Sequence, residues 1–262
     1  MALKLPSFTL SRRVKILLGV LIVISTTACA IFLIWFSFRG LFAGNPAFLL
    51  KHVVVESSGW WKGKDTYVSA ITNLRKGSVN LFSVDLAQLR KKLESEAGIK
   101  HLTVSRKLPD TIVFTITERI PRAFLGRLGS SLVIDEEGVV MQKEKCLNLD
   151  NNLPVIFGYR DRIPGVGQSF HRLDSSLELI MLTVRSFPDI RIASINAHNT
   201  DYLFFSMYYK NNFAEVFRVY IPTGNMHKNM TALISAMPSV TGSGEAKRTI
   251  DLRYEGKVTL KE

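Results

Sequence analysis

His101-Leu102-Thr103-Val104-Ser105-Arg106-Lys107-Leu108-Pro109-Asp110-Thr111-Ile112-Val113-Phe114-Thr115-Ile116-Thr117 holds two alternating runs around one turn. Leu102 and Val104 alternate with His101, Thr103 and Ser105. Ile112, Phe114 and Ile116 alternate with Thr111, Val113, Thr115 and Thr117. Successive strand side chains point to opposite faces, so each run has one face suited to a core. The pattern predicts an antiparallel pair with one buried face, turned at Leu108-Pro109-Asp110.

Working back from this pair, Leu86, Leu89 and Leu93 share one face of a predicted helix, and Arg90, Lys91 and Lys92 point to solvent. Ser83 is its expected N-cap, with Asp85 in the first turn, where the helix dipole favours a carboxylate. Asn80-Leu81-Phe82 reads as an apolar-tipped turn after the break at Gly77. An earlier helix is expected to start at Asp65 as N-cap and to turn Val68, Ile71 and Leu74 inward. His52-Val53-Val54-Val55-Glu56 is β-branched and reads as a strand. The order is strand, helix, helix, strand, strand: a three-stranded sheet covered by two helices.

Farther back, Ile16 to Phe38 are 23 residues without a charge. A helix rising about 1.5 Å per residue makes that run long enough for a hydrocarbon layer of about 30 Å. Trp35 and Phe36 lie near its far end, where aromatic rings favour the interface. Lys4, Arg12, Arg13 and Lys15 precede it, and only Arg39 and Lys51 follow closely, which places the N-terminus in the cytoplasm. Three rival readings fit less well. Ser11-Arg12-Arg13 resembles a twin-arginine signal, but Lys15 stands where an apolar residue is usual. Cleavage at Ala28-Cys29-Ala30, or lipid attachment at Cys29, would leave Ile31-Phe32-Leu33-Ile34-Trp35-Phe36 as an exposed apolar terminus. The expected segment is an uncleaved anchor, 16–38, behind a tail, 1–15.

The chain has 34 basic and 22 acidic residues, a net charge of +12. Subtracting the four basic residues ahead of the anchor leaves 30 against 22, or +8, which suits an anionic neighbour such as a membrane surface, an acidic partner or a wall polymer. Zinc-finger spacing and RRM-like aromatic motifs are absent, so nucleic acid is not the expected partner. Cys29 lies in the apolar run and Cys146 stands alone beyond it, so no disulfide staples the outer part.

Catalytic chemistry has no signature either. His52, His101, His171, His198 and His227 are scattered, and neither a metal-binding pair nor a Gly-x-Ser-x-Gly elbow occurs. A triad is recognised by geometry that sequence hides, so this is an expectation about spacing alone. Gly165-x-Gly167 follows Pro164 in a loop. Cys146 reads as a small apolar filler, and Met226 with Met230 as core. Glu118 and Arg119 read first as a surface ion pair at a strand end, worth little, and second as a binding site.

Three stretches carry a family resemblance: Gly77-Ser78-Val79-Asn80-Leu81-Phe82-Ser83-Val84-Asp85-Leu86, Val104 through Ile112, and Ile116-Thr117-Glu118-Arg119-Ile120-Pro121-Arg122-Ala123. Together, just beyond an anchor, they resemble the POTRA domain of the FtsQ/DivIB family of bacterial cell-division proteins. Gly98 departs from the tryptophan frequent in the family before the second strand. The POTRA domain is expected over 48–121 and a β-rich second domain over 122–262, giving an α+β fold behind one transmembrane helix.

In that second domain Leu132-Val133-Ile134-Asp135-Glu136-Glu137-Gly138-Val139-Val140 reads as a hairpin, followed by Leu153-Pro154-Val155-Ile156-Phe157-Gly158. Asp174 is expected to cap a helix with Leu177, Ile180, Met181 and Val184 inward, stopped by Pro188. Strands are expected near Ile190–Ala197, Tyr202–Tyr208 and Glu215–Ile221. A last helix turns Met226, Met230, Leu233 and Ile234 inward and ends at Pro238. Thr249 to Tyr254 and Lys257 to Leu260 form two closing strands around Glu255-Gly256.

Asp251-Leu252-Arg253-Tyr254 resembles the motif near the end of many FtsQ-type chains. Alternation sends Leu252 and Tyr254 to one side and Asp251 and Arg253 to the other. The resemblance implies a non-enzymatic division scaffold in the inner membrane, at midcell, needing no cofactor, metal or small-molecule substrate. It implies FtsB- and FtsL-like small membrane proteins as partners, with FtsK and the septal wall synthases beyond them. Leu252, Arg253, Tyr254, Gly256 and Lys257 are the candidate partner-binding residues, since an open edge strand attracts another chain. Arg106, Glu118 and Arg119 are candidates for a recruitment surface on the POTRA domain. Two other readings stand beside this one, a POTRA-bearing envelope transport component and a membrane-anchored wall enzyme hidden in residues 160–245.

Overall fold

The computed structural model describes residues 12–147, 149, 152–242, 249–254 and 259–261. Helix α1 (Arg12–Phe38) carries the apolar run and continues into a π-helical turn, Arg39–Ala43. Its described side chains are all exposed, and the helix is long and apolar enough to cross a membrane. An apolar run exposed on every side among the described residues is compatible with a membrane anchor. The hydroxyl of Thr26 donates back to the Ile22 carbonyl at 3.0 Å, so it brings no unpaired donor into that layer.

Next come β1 (His52–Glu56), α2 (Asp65–Thr72), α3 (Leu86–Glu94), β2 (Ile99–Lys107) and β3 (Thr111–Glu118). The sheet order is β1-β3-β2, with β1 parallel and β2 antiparallel to β3. The central strand thereby receives both neighbours, and Phe114 sits between Val55 and Val104. Val53, Val55, Leu102, Ile112, Phe114 and Ile116 pack against Val68, Leu89 and Leu93 of the helices. This is the expected strand-helix-helix-strand-strand unit.

Its helix caps differ from expectation. Asp65 is the first residue of α2, not its cap, and its carboxylate accepts the Val55 amide at 2.7 Å, joining helix to strand. Asp85, not Ser83, caps α3, accepting the amides of Ala87 and Gln88. Ser83 closes a 3-10 turn, Leu81–Ser83, capped by Asn80. Trp61 is buried beside Gly98, and a Cβ on that glycine would lie 3.8 Å from the Trp61 indole nitrogen. An indole from the β1–α2 connection thus fills space next to the residue where the family has its tryptophan.

The second sheet comprises β4 (Pro121–Leu125), β5 (Leu132–Asp135), β6 (Val140–Gln142), β7 (Val155–Phe157), β8 (Ile190–Asn196), β9 (Tyr202–Tyr209), β10 (Asn212–Pro222), β11 (Thr249–Asp251) and β12 (Thr259–Lys261). Among the described residues its order is β12-β11-β10-β9-β8-β7-β4-β5-β6. Two helices, α4 (Asp174–Ser186) and α5 (Met226–Gly242), share one core with the inward residues Leu203, Phe205, Met207 and Val219.

Here too the helices depart from expectation in detail. Asp174 lies in the first turn of α4 and Leu173 is the cap. Val184 is 63% exposed, and Thr183 takes the buried position at the end of α4, with its hydroxyl returned to the Leu179 carbonyl. Helix α5 continues through Pro238 to Gly242. The proline is exposed, while Met237 and Val240 on the same last turns are buried. Burial of those two offsets the backbone bond that proline removes.

Candidate partner-binding site

Strand β12 closes the second sheet, pairing antiparallel with β11 through Thr249–Lys261, Ile250–Leu260 and Asp251–Thr259. Strand β11 in turn runs parallel to β10. Both closing strands are three residues long, and the outer side of β12 has no neighbouring strand among the described residues. An edge of this kind offers backbone donors and acceptors to an incoming strand.

Ile250 and Leu252 face the core, and the Leu252 amide donates to the Tyr220 carbonyl at 2.9 Å. Leu252 therefore supports the edge from beneath. Asp251 and Arg253 share the opposite side, as alternation requires. The fully buried Asp251 carboxylate accepts Arg253 Nε at 2.9 Å, Arg253 Nη2 at 2.7 Å and the Arg253 backbone amide at 3.1 Å. That fork holds the guanidinium charged, its pKa raised chiefly by the bonds to Asp251. Its plane also lies over the rings of Tyr202 and Tyr220, with the central carbon 4.9 and 4.5 Å from the centroids.

Tyr254 does not follow Leu252 into the core. Strand β11 ends at Asp251, alternation lapses, and the Tyr254 side chain is 56% exposed. The edge thus presents an exposed phenol beside an arginine locked in place. Gly256 and Lys257, with the turn at Glu255-Gly256, lie outside the described residues.

The sequence reading missed the floor of this site. Tyr202, Phe204 and Tyr220 form a half-buried aromatic cluster on the sheet face away from α4 and α5, with Phe204 and Tyr220 centroids 4.6 Å apart. The signal was present in Tyr202-Leu203-Phe204-Phe205-Ser206-Met207-Tyr208-Tyr209, where both alternating sets are rich in large side chains. A sheet with one wet face ordinarily alternates apolar with polar.

The three POTRA-side candidates sit elsewhere, each engaged within the chain. Arg106 donates to the carbonyls of Leu81 (2.7 Å) and Val84 (2.6 Å) and so holds the 3-10 turn. Glu118 accepts from the Ser57 hydroxyl and from the amides of Trp60 (2.7 Å) and Trp61 (2.9 Å). A Cβ on Gly59 would lie 2.1 Å from Glu118 Oε2, so glycine there gives the carboxylate room. Arg119 pairs with Asp135 and Glu137, both at 2.6 Å, across to the second sheet. The expected Glu118–Arg119 ion pair is therefore two separate fastenings that point different ways.

Around Arg119 a charged seam joins the two sheets. Lys100 reaches Glu136 at 2.8 Å and Glu137 at 3.1 Å, Arg122 reaches Glu136 at 3.2 Å, and Lys145 reaches Glu96 at 2.6 Å. Glu136 is held below the usual carboxylate range chiefly by the Lys100 bond, and Glu137 chiefly by the Arg119 bond. Burial pushes the Cys146 thiol up to about 11, with Glu118 and Glu144 adding to it, which disfavours the thiolate a nucleophile needs. No group of three or more metal-ligating side chains occurs among the described residues.

Comparison with known proteins matches residues 64–119 to the POTRA domain, FtsQ-type. That span runs from just before α2 to just past β3 and leaves β1 outside. Three curated relatives carry the name Cell division protein FtsQ. The protein of Koribacter versatilis is 32% identical over 168 residues, covering 61% of this chain and 45% of the relative. That of Rickettsia felis is 27% identical over 154 residues, covering 53% and 57%. That of Novosphingobium aromaticivorans is 29% identical over 115 residues, covering 40% and 36%. The chain matches between roughly a third and just over half the length of these relatives. It carries an FtsQ-type POTRA domain within a mixed α+β fold and is similar to proteins named for cell division.

Proposed function

We propose that this chain is a bitopic scaffold of the bacterial division machinery, working by protein–protein contact and not by catalysis. The observation that carries the reading is one arrangement in one chain. A lipid-suited helix leads directly into an FtsQ-type POTRA domain, and the following sheet ends in a short open edge beside an exposed tyrosine. The basic residues before α1 favour a cytoplasmic N-terminus in the inner membrane, with both sheets on the periplasmic side.

In this reading an FtsB-like segment adds a strand to β12, and FtsL, FtsK and the septal wall synthases are engaged directly or through it. Backbone pairing gives such a contact affinity, and side chains beside it give selectivity. Tyr254 supplies an apolar contact with a polar tip, and Arg253, its charge paired with Asp251, a fixed planar group beside it. Gly256 and Lys257 belong to the same proposed edge. Arg106, Glu118 and Arg119 serve recruitment by fixing the shape of the POTRA surface, since their own polar groups are already bonded.

The test is a fluorescent fusion at the N-terminus of the full chain in dividing cells. The expected result is a band at midcell before constriction. Uniform signal around the envelope through the division cycle would contradict the proposal.

A further inference from the structure

The membrane helix is not joined to the POTRA domain by a slack linker. Phe38, the last residue of α1, meets the ring of Phe82 at 6.0 Å, and Phe42 and Phe48 meet it at 5.2 and 5.1 Å. Phe38 and Phe48 also touch Phe42, at 5.1 and 5.8 Å. The Asn80 amide donates to the carbonyls of Phe42 (3.0 Å) and Asn45 (3.1 Å), so the domain's own turn ties off the helix end. The charge-free run ends at Phe38, which sets this aromatic cluster at the level where α1 leaves the hydrocarbon, and aromatic rings favour that level.

The same end of the domain carries a basic rim. Leu50 pairs with Val79 and Gly77, and Lys51 with Asp110, which gathers the loops 75–79 and 107–110 around the point where the chain enters β1. Arg75 and Lys76 on the first loop are exposed, as is Lys107 at the end of β2, and Leu108 is 57% exposed between Lys107 and Pro109. The acid there, Asp110, is largely covered and bonded to Lys51 at 3.5 Å and to Thr111 at 3.0 Å. On the helix side Leu41 is 64% exposed. Basic groups and apolar tips together, on a domain clamped to a membrane helix, match the headgroup layer of an anionic bilayer.

We propose that this end of the POTRA domain is a lipid-binding surface. Arg75, Lys76 and Lys107 contact anionic phospholipid headgroups while Leu41 and Leu108 rest in the interface. The domain then stands at a fixed angle on the membrane, and its orientation responds to lipid charge. The inference rests on the reading of α1 as a membrane span. It places part of the outer positive charge on lipid instead of on a wall polymer.

The test uses the full chain in nanodiscs of zwitterionic phosphatidylcholine, or of phosphatidylcholine mixed with anionic phosphatidylglycerol, followed by amide hydrogen exchange. Exchange at 74–78 and 107–110 should be severalfold slower in the anionic discs. The difference should vanish in about 1 M salt, where screening acts within about 3 Å. It should vanish also in the variant R75E/K76E/K107E, whose changes are all at exposed sites. Equal exchange in both lipids, with the chain retained in the discs, overturns the lipid-binding surface and leaves the span standing. Failure of the chain to remain in either disc overturns the span and this inference with it.

Discussion

In the three-stranded sheet the charged residues singled out from sequence are fasteners. Glu118 holds the Trp60-Trp61 turn, Arg106 holds the Leu81 turn, and Arg119 crosses to the second sheet. At the far edge of the nine-stranded sheet the arrangement is reversed. Asp251 is paired with Arg253, yet the product is a half-buried arginine-on-tyrosine platform with the exposed Tyr254 beside it. A charged residue near a motif is thus weak evidence of a contact surface, because an unpaired charge or donor inside a fold is costly and is usually answered within the chain. An open strand edge beside an exposed aromatic is the better signal, since the backbone there has no neighbouring strand among the described residues.

Substitutions in the two regions should separate fasteners from contact residues. The largest effect is expected in the POTRA core, where Leu93 is fully buried between α3 and the sheet. Leu93→Ala should cost about 2–5 kcal/mol in denaturant unfolding, through lost burial and a cavity. Lys91→Ala, on the exposed face of the same helix, should change stability by less than about 0.5 kcal/mol. Equal losses from the two would mean that the helix face is misassigned.

A smaller loss is expected from Glu118→Gln. The neutral amide accepts less strongly and turns an NH2 group toward one of the Trp60 and Trp61 amides, which themselves donate, so about 1–3 kcal/mol should be lost. Trp60 and Trp61 lie in the turn that Glu118 holds, so their fluorescence should shift in the folded variant. Unchanged stability together with unchanged emission would turn Glu118 back into a free surface group, open to a recruitment role.

Much of the fold was legible because several strands bury one face. The alternation in 101–117 and the β-branched run at 52–56 both report burial on one face. Caps were less legible, since Asp65 and Asp85 are the same residue type in different roles: one reaches a strand amide, the other its own helix. Strand β4 escaped notice because Pro121 and Arg122 open it, and only Ala123, Phe124 and Leu125 are buried. Pro238 looked like a stop, but its exposed position lets buried Met237 and Val240 carry the helix on.

At the candidate site Leu252, Arg253 and Tyr254 are legible through a resemblance, whereas the place of Tyr202 and Tyr220 beneath Arg253 is not. The two tyrosines lie on two strands distant in sequence from Arg253, so the excess of large side chains in 202–209 is legible while their meeting with Arg253 is not. The roles of Glu118 and Arg119 were hidden for the same reason, their partners being fixed only when strands and turns from distant segments come together.

The central claim, that the closing edge is where a partner docks, is tested most directly by Tyr254→Ala in the full chain, co-purified with the FtsB-like protein of the same cell. The exposed side chain can be removed with the sheet intact, whereas cutting after Ile250 would also remove buried Asp251 and Leu252. The expected result is an unchanged melting temperature, midcell targeting largely retained, and recovery of the FtsB-like protein reduced at least tenfold, about 1.4 kcal/mol of binding free energy. Recovery at the wild-type level, with the fold intact, would contradict it.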